Sequence, residues 1–329
     1  MASPNRSALA ALISLPLSLT GTPGGAAETF PSHPIQLIVP APPGGAADIN
    51  SRLLASIAEK ELGQKILVVN RPGADGAIGM QAMLNAKPDG YTIAGVWNSP
   101  MTVTPQTFKV SYGENSYVPI VLSDISPLVY CVMQDFPAND GKAFLQNLKD
   151  NPNKYTYGTD GVSGMVHLGA ERIFRSTGVK ERAIPYNGAS ETLESFLGGH
   201  VDIYGGSIPP ILPFVHKGSV KCLMSTSANS IKMLPQAASV SELGIPQDAT
   251  LLWHAIVAPA QIPPTRLSVL EAAFQAAVRS EQYRNFAARQ GEAAVAWGSK
   301  QSTEAIRKEY LAFGVVLAEL GLDRKDARP

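Results

Sequence analysis

The fold class is decided by residues 35–45, IQLIVPAPPGG, in which an apolar and β-branched run is followed at once by a loop of Pro and Gly. Residues 35–39 predict a buried strand. From Asp48 to Leu62 the apolar residues recur at helical spacing, and Gly63 ends the predicted helix. Strands that are apolar throughout are typical of parallel sheets covered by helices on both faces, so this stretch predicts an α/β fold.

The same order of strand, loop and helix continues along the chain and restarts after a middle stretch. The first block has predicted strands at 66–69 and 91–96 and a helix at 77–86; the second has strands at 154–157, 182–186 and 201–204 and helices at 166–176 and 189–197. Further strands are predicted at 119–122, 128–133 and 220–225, and further helices at 265–278, 280–290 and 303–320.

Two α/β blocks joined by helix-free segments predict two lobes, each a mostly parallel sheet flanked by helices. We expect the first lobe to comprise residues 28–124 and 227–329, and the second lobe residues 134–218. Two crossing strands within 125–133 and 219–226 would join them. A single large sheet is the alternative that the sequence leaves open.

Charge and composition exclude several classes of protein. The chain has 329 residues, Lys+Arg and Asp+Glu number 27 each, and 16% of residues are charged, against a usual ~25%. Because no basic excess exists, we expect no nucleic-acid partner. Two cysteines exclude a multi-cysteine metal site, and the five histidines lack metal-ligand spacing, so no metal is expected.

Residues 1–27 predict a secretory signal peptide. Arg6 is followed by an apolar run from Ala8 to Leu19 and by small residues up to Ala27. A charged start, a short apolar run and small residues at the exit are typical of such signals. We therefore expect cleavage after Ala27 and a periplasmic location, with a membrane anchor or a buried helix as the alternative.

The candidate binding site consists of loops at the carboxyl ends of the predicted parallel strands. These loops are residues 40–48, 97–101, 158–165, 187–190 and 205–207. Ligands of open α/β sheets bind at this edge, and helix N-termini there suit an anion. The first four loops contain no Lys or Arg, so we expect an anion to be held by backbone amides and hydroxyl groups.

Sequence patterns for catalysis are missing. The run at 73–79 has the spacing G-x-x-G-x-x-G rather than that of a dinucleotide site, and no Gly-Lys-Ser/Thr occurs. Ser163 lacks the second Gly of a nucleophile elbow, and Ser207 is followed two residues later by Pro209. We expect no cofactor and no enzymatic activity; an exported α/β hydrolase is a lesser alternative.

The two cysteines, Cys131 and Cys222, fall on the two predicted crossing strands. The periplasm permits a disulfide, but a bridge between adjacent strands requires particular geometry. We therefore expect two buried free thiols.

Six segments in order carry a resemblance to a known family. They are Pro40–Asp48 (PAPPGGAAD), Asn70–Gly79 (NRPGADGAIG), Lys87–Thr92 (KPDGYT), Pro185–Gly188 (PYNG), Leu197–Asp202 (LGGHVD) and Val257–Ala260 (VAPA). Together they resemble motifs of the substrate-binding proteins of tripartite tricarboxylate transporters, the Bug family. The likeness runs from about residue 30 to residue 321.

The resemblance implies a two-lobed, type II-like periplasmic binding protein, a monomer that closes on a small organic carboxylate. Its implied partners are the membrane permease subunits of a tripartite tricarboxylate transporter, and a sensory binder without its own permease is the alternative. The candidate ligand contacts are Gly44, Gly45, Ala46, Ala47, Asp48, Trp97, Asn98, Ser99, Gly158, Thr159, Asp160, Ser163, Gly164, His167, Tyr186, Asn187, Gly188, Ser190, Tyr204, Gly205, Gly206 and Ser207.

Departures from the family pattern indicate the character of the ligand. Trp97-Asn98 stands where the family has small polar residues, and Met165-Val166 stands where Ser or Thr is common. Tyr186 and Tyr204 add aromatic rings at or beside the same loops. Aromatic faces can stack on a ring, so we expect an acid with an aromatic or extended apolar body rather than a citrate-like ligand.

Overall fold

The apolar strand runs of the chain assemble into two sheets in the computed structural model, which describes residues 1–2, 29–186 and 189–324. The first sheet contains β1 (Ile35–Val39), β2 (Ile66–Asn70), β3 (Thr92–Trp97), β4 (Tyr117–Pro127), β10 (Leu251–Pro259) and β11 (Ala293–Gly298). The second contains β5 (Val129–Met133), β6 (Thr156–Thr159), β7 (Arg182–Pro185), β8 (Ile203–Gly206) and β9 (Val220–Ser225).

Helices cover both sheets. Beside the first sheet are α1 (Ala46–Leu62), α2 (Ala77–Leu84), a π-helical turn (Ser99–Val103), α3 (Thr104–Thr107), α8 (Pro264–Arg279) and α9 (Glu281–Arg289). Around the second sheet are α4 (Gly141–Asp150), α5 (Met165–Thr177), α6 (Ala189–Leu197) and α7 (Ile208–His216). A 3-10 turn (Pro246–Asp248) and the last helix, α10 (Ser299–Leu320), complete the order.

The two-lobed α/β architecture is confirmed, but both sheets are mixed rather than mostly parallel. The first sheet has the order β11-β4-β10-β3-β1-β2, in which only β1, β2 and β3 are parallel. The second has the order β7-β6-β8-β5-β9, in which only β6, β7 and β8 are parallel. The antiparallel strands include those beside the links between the sheets, since these strands do not arise from β-α-β crossovers.

Two links join the sheets and are hydrogen-bonded to each other. Leu128, the residue between β4 and β5, donates its N–H to Thr226 Oγ1 at 2.9 Å and accepts from Thr226 N–H at 2.9 Å. Thr226 begins the second link, and its carbonyl accepts from Thr250 N–H at 3.1 Å, just before β10. The lobe boundaries predicted above stay a prediction.

The C-terminal helix α10 packs against both sheets. Ser302, near its start, donates its hydroxyl to Trp297 O at 2.9 Å and accepts from Leu122 N–H in β4. Towards its end, Phe313 and Leu317 belong to the apolar core that contains α5 and the second sheet. This helix therefore connects the sheets in addition to the two links.

The expectation of two free thiols is wrong, because Cys131 and Cys222 form a disulfide. The two residues are direct partners in the antiparallel register of β5 and β9, next to a register shift at Tyr130. Opposite positions on adjacent strands bring the two sulfur atoms within bonding reach. Both cysteines are buried in the second sheet.

Within the described residues, no helix combines the length and apolarity needed to cross a bilayer. The predicted signal peptide at 1–27 lies almost entirely outside those residues.

Candidate functional site

Two neighbouring cavities lie in the cleft between the sheets. We call the first the α1 cavity; it has a volume of about 410 Å³. Its walls are Ala41, Ala46, Ala47, Trp97, Asn98, Ser126, Ser207, Ile208, Pro209, Pro210, Leu252, Trp253, His254, Gln290, Gly291 and Glu292. Because Ser207–Pro210 belong to the second lobe side and the rest surround the first sheet, both sides of the cleft contribute.

The second, which we call the α5 cavity, has a volume of about 610 Å³. Its walls are Asp75, Trp97, Ser99, Val103, Thr107, Phe108, Asp160, Val162, Ser163, Gly164, Met165, Leu252 and Leu322. Trp97 and Leu252 line both cavities and therefore stand between them.

The structure brings together nine of the predicted contacts at these cavities. Those at the α1 cavity are Ala46, Ala47, Trp97, Asn98 and Ser207, and those at the α5 cavity are Trp97, Ser99, Asp160, Ser163 and Gly164. Direct contact with a ligand stays a prediction for all of them.

The α1 cavity receives an open helix N-terminus. Gly45 is the N-cap of α1 and provides no side-chain cap. Among the described residues none accepts a hydrogen bond from the amides of Ala46 and Ala47. Such amides, together with the positive end of the helix dipole, favour an anion.

Asp48 organises the loop before this helix and lines neither cavity. Its carboxylate accepts from Gly44 N–H at 2.8 Å, from Arg52 at 2.9 Å and from Asn70 at 2.8 Å. Burial opposes its ionisation, but these donors hold the pKa of Asp48 below its usual range. Gly44 has φ +81°, which glycine adopts without strain. The Gly44 amide is thereby used within the loop.

The protein's own groups use part of the N-terminus of α5: Gly164 is the N-cap without a side-chain cap, the Val166 amide is bonded, and among the described residues none accepts from the amides of Met165 and His167. Asp160 Oδ1 accepts from Val166 N–H at 3.2 Å, and His167 Nδ1 accepts from Ser163 N–H at 3.1 Å. Gly164 N–H donates to Gly161 O at 3.2 Å. Burial raises the pKa of Asp160 to about 6. A ligand carboxylate at this end would compete with the Asp160 carboxyl.

Asn98 supports the floor of the cleft. Its Nδ2 donates to Leu251 O at 3.0 Å and to Glu309 at 2.8 Å, and its Oδ1 accepts from Trp253 N–H at 2.9 Å. Glu309 of α10 also accepts from Thr102 and from the Trp253 indole, and burial raises its pKa to about 7. These bonds fix the Trp253 wall of the α1 cavity.

Several other predicted contacts line neither cavity. Tyr204 is buried, and its hydroxyl donates to Ser207 O at 3.1 Å. The Tyr186 hydroxyl contacts Ser195, and Thr159 bonds Gly161 O. The remaining members of this group are Gly44, Gly45, Asp48, Gly158, His167, Gly205, Gly206 and the exposed Ser190. Asn187 and Gly188 lie outside the described residues.

A buried Asp–His pair is the main feature that sequence reasoning missed. His254 Nδ1 lies 2.8 Å from Asp124 Oδ1, and Asp124 Oδ2 accepts from Asn50 at 2.8 Å, Ser123 at 2.6 Å and Tyr283 at 2.7 Å. A signal existed in the sequence, because Asp124 and His254 interrupt apolar strand runs.

The surroundings of the pair favour a negative charge on Asp124 and a positive charge on His254, which lines the α1 cavity. Burial opposes both charges, yet His254 and the hydrogen bonds hold the pKa of Asp124 below its usual range. Conversely, Asp124 raises the pKa of His254 against the effect of burial. Glu292 stands close by, and burial together with the Asp124 charge raises its pKa to about 7.

Two helix-flanked sheets with a ligand-sized cleft between them define a class, the two-lobed solute-binding receptors. The chain belongs to one family of that class: residues 50–322 match the family described as "Tripartite tricarboxylate transporter family receptor". The family consists of binding receptors, so the expectation that the chain is not an enzyme is confirmed.

Individual relatives agree with the family match. A "UPF0065 protein in gbd 5′ region" from Cupriavidus necator is 32% identical over 314 residues, which is 93% of each chain. A TctC solute-binding protein from Polaromonas, solved without ligand, is 29% identical with a TM-score of 0.80 and covers 88% of this chain and 100% of its own. A Rhodopseudomonas palustris protein solved with adipate shares the fold at 21% identity, with a TM-score of 0.73 and coverage of 89% and 98%.

Proposed function

We propose that the protein captures a small organic carboxylate in the α1 cavity and delivers it to the membrane permease of a tripartite tricarboxylate transporter. The observation that carries this proposal is the open α1 N-terminus, where Ala46 and Ala47 line the α1 cavity and their amides have no acceptor among the described residues. An anion placed there would receive donors that no other described group uses.

The charge pattern of the two cavities favours the same place. The described lining of the α1 cavity contains His254 and Glu292 but no Lys or Arg, and burial together with the Asp124 charge raises the pKa of Glu292 to about 7. The α5 cavity contains Asp75 and Asp160, which would repel a second carboxylate at neutral pH. The ligand carboxylate is therefore assigned to the α1 side of Trp97.

The walls of the α1 cavity support an acid with an apolar or aromatic body. Trp97, Trp253, Leu252, Ile208 and Pro209 present apolar surface to the cavity. Covering a ligand ring or methylene chain with such surface contributes about 25 cal/mol per Å². A tricarboxylate would bring further charges that this lining does not pair.

The transport role rests on the family and on the predicted leader at 1–27. We place the mature protein in the periplasm, where the receptor would meet both the solute and the permease. A sensory binder without its own permease would give a different phenotype when its gene is deleted. Deleting the gene should abolish uptake of the radiolabelled acid; normal uptake together with a lost transcriptional response would favour the sensory role.

Binding itself is tested by thermal shift followed by calorimetry. The probes are malate, adipate, citrate, benzoate and 3-phenylpropionate, each at 1:1 stoichiometry with the full mature chain. We expect at least one apolar-bodied acid to raise Tm and to be recovered unchanged by mass spectrometry. Tight citrate binding with no response to any apolar acid would contradict the assigned cavity character, and no response to any acid would contradict carboxylate binding.

A further inference from the structure

The α1 cavity has a second polar end that carboxylate capture does not use. His254 and Glu292 line this cavity, and one ligand atom each of Asp124, His254 and Glu292 lie within 4.8 Å of one another. The His254 side chain is 14% exposed and that of Asp124 is 1% exposed. The buried Asp124–His254 pair reaches the cavity at one edge, where a polar group of a ligand could bond to it.

The hydrogen-bond pattern fixes the role of His254. Both oxygens of Asp124 accept hydrogen bonds from neighbouring side chains, a pattern that fits the ionised, acceptor-only carboxylate, so His254 Nδ1 is the donor of the 2.8 Å bond. Asp124 raises the pKa of His254 against the effect of burial, which favours a proton on both ring nitrogens. His254 lines the α1 cavity and no described residue forms a hydrogen bond with its Nε2, so this nitrogen is available to a group that enters the cavity.

Glu292 supplies the complementary acceptor. It belongs to the loop between α9 and β11, and no described residue donates a hydrogen bond to its carboxyl. In the same loop, Gly291 lies against Ile208 and Pro209 of α7 across the cleft. Glu292 is thus held beside the cavity by backbone contacts rather than by bonds to its own side chain.

We propose that His254 Nε2–H and the Glu292 carboxyl together bind a second, uncharged polar group of the ligand, one that both accepts and donates a hydrogen bond, such as a hydroxyl. This inference rests on the proposed function and narrows its substrate class to hydroxy acids with an apolar or aromatic body. The carboxylate binds the α1 amides, the body contacts the Trp97 and Trp253 walls, and the hydroxyl bridges His254 and Glu292.

A cation between the same three groups is the competing arrangement, and the geometry disfavours it. Both oxygens of Asp124 already accept hydrogen bonds, and His254 Nδ1 is turned to Asp124. A metal ion would have to replace the His254–Asp124 bond. Titration with Zn²⁺ tests this directly: 1:1 binding that His254→Gln abolishes would overturn the hydroxyl proposal.

The main experiment compares hydroxy acids with their methyl ethers and deoxy forms by calorimetry. The series are 4-hydroxybenzoate, 3-(4-hydroxyphenyl)propionate and 6-hydroxyhexanoate, which span different lengths. Because a hydrogen bond to a charged group is stronger than one between neutral groups, at least one hydroxy acid should bind about tenfold or more tightly than both of its analogues. Methyl ethers still accept from His254 but cannot donate to Glu292.

Variants of His254 and Glu292 test whether these two residues cause the tighter binding of the hydroxy acid. In Glu292→Gln and His254→Gln the hydroxyl advantage should fall below about threefold, whereas His216→Gln and Glu304→Gln, exposed positions away from both cavities, should keep it. Glu292→Gln breaks no hydrogen bond to a described residue, so it tests the proposal even if His254→Gln fails to fold.

Equal affinity of hydroxy acid, ether and deoxy acid in every series would overturn the proposal, as would an advantage that survives Glu292→Gln. Binding of other carboxylates without any member of the panel would also overturn it while leaving the proposed function standing. Binding of no carboxylate at all would contradict the proposed function instead.

Discussion

The two sides of the cleft present helix N-termini of opposite character. On the first-sheet side, α1 begins at a bare glycine cap, and the amides of Ala46 and Ala47 face the cavity without an acceptor among the described groups. On the second-sheet side, α5 begins beside Asp160, whose carboxyl accepts from Val166 N–H. The first-turn amides of α1 therefore have no acceptor among the described residues, whereas at α5 the protein itself uses the Val166 amide and leaves those of Met165 and His167 without one.

The two sides also differ in how they are held together. The second sheet carries the Cys131–Cys222 disulfide between β5 and β9. The first sheet depends on packing and on buried hydrogen bonds such as those of Asp124. Under the proposed function, the amides that would bind the carboxylate lie on the first-sheet side and the disulfide lies in the second sheet, so the two can be changed independently.

The largest expected effect comes from removing the cross-link. The bridge closes a loop with a sequence separation of 91 residues, for which loop-closure entropy gives about 4–5 kcal/mol. The double variant Cys131→Ser, Cys222→Ser should lose roughly that free energy of unfolding in urea titrations, while the folded form keeps wild-type ligand affinity. Two free thiols in the denatured, unreduced wild type would contradict the bridge.

Filling each cavity in turn tests which one binds the acid. Ala46 and Val162 are both exposed and line the α1 and α5 cavities respectively. Ala46→Trp should weaken binding of the best acid at least about 100-fold, or about 2.7 kcal/mol, whereas Val162→Trp should change it less than threefold. Calorimetry that gives the reverse order would place the ligand in the α5 cavity.

Asp160, at the start of α5, should also make the free energy of unfolding depend on pH. Burial raises the pKa of Asp160 to about 6, so the folded state binds this proton more tightly than the unfolded chain. Below about pH 4 the protonated Asp160 therefore stabilises the folded state. As the pH rises through 6 this stabilisation, about 2 kcal/mol, is lost. Asp160→Asn should remove that part of the slope between pH 4 and 7 in urea titrations, and an unchanged slope would show that Asp160 titrates normally.

The two glycine N-caps provide the smallest and most closely matched test. A Cβ at Gly164 would clash with Asp160 Oδ1, whereas a Cβ at Gly45 would meet only Pro42 O at an ordinary 3.5 Å. Gly164→Ala should displace the Asp160 cap and lower the unfolding free energy by about 1 kcal/mol. Gly45→Ala should lower the unfolding free energy by only about a few tenths of a kcal/mol. Similar losses for both variants would remove the distinction between the two helix starts.

Most of the first α/β block could be predicted from the sequence. The strand at 35–39 matches β1, and the predicted helix at 48–62 differs from α1 only by two residues at its start. These elements combine an apolar run with Pro or Gly at the ends, so local signals agree with the tertiary structure. The bounds of β9 at 220–225 were likewise predictable.

The parts that escaped prediction depend on partners distant in sequence. Leu251–Pro259 contains Trp253 and His254 between apolar residues, and its identity as the central strand β10 depends on pairing with β3 and β4. The mixed direction of both sheets has the same cause. The disulfide required the register of β5 against β9, which no local pattern contains.

The candidate site divides in the same way. The loops that were selected because they contain glycine, such as those with Ala46 and Gly164, do lie at the cavities. The side-chain amide of Asn98, in contrast, is bonded to Glu309, which lies 211 residues away in the sequence. Polar groups that look available in a loop can therefore be used by another part of the chain.

The position of α10 bears on how long a bound solute stays. Opening the cleft would move α5 relative to α10, which is held by Phe313 in the shared core and by the ion pair between Arg175 and Glu319. Arg172 of α5 also donates to Ala249 O and Thr250 Oγ1 in the second link. If release of a solute requires the cleft to open in this way, these contacts must break first, and the residence time of the solute would then depend on them as well as on its affinity.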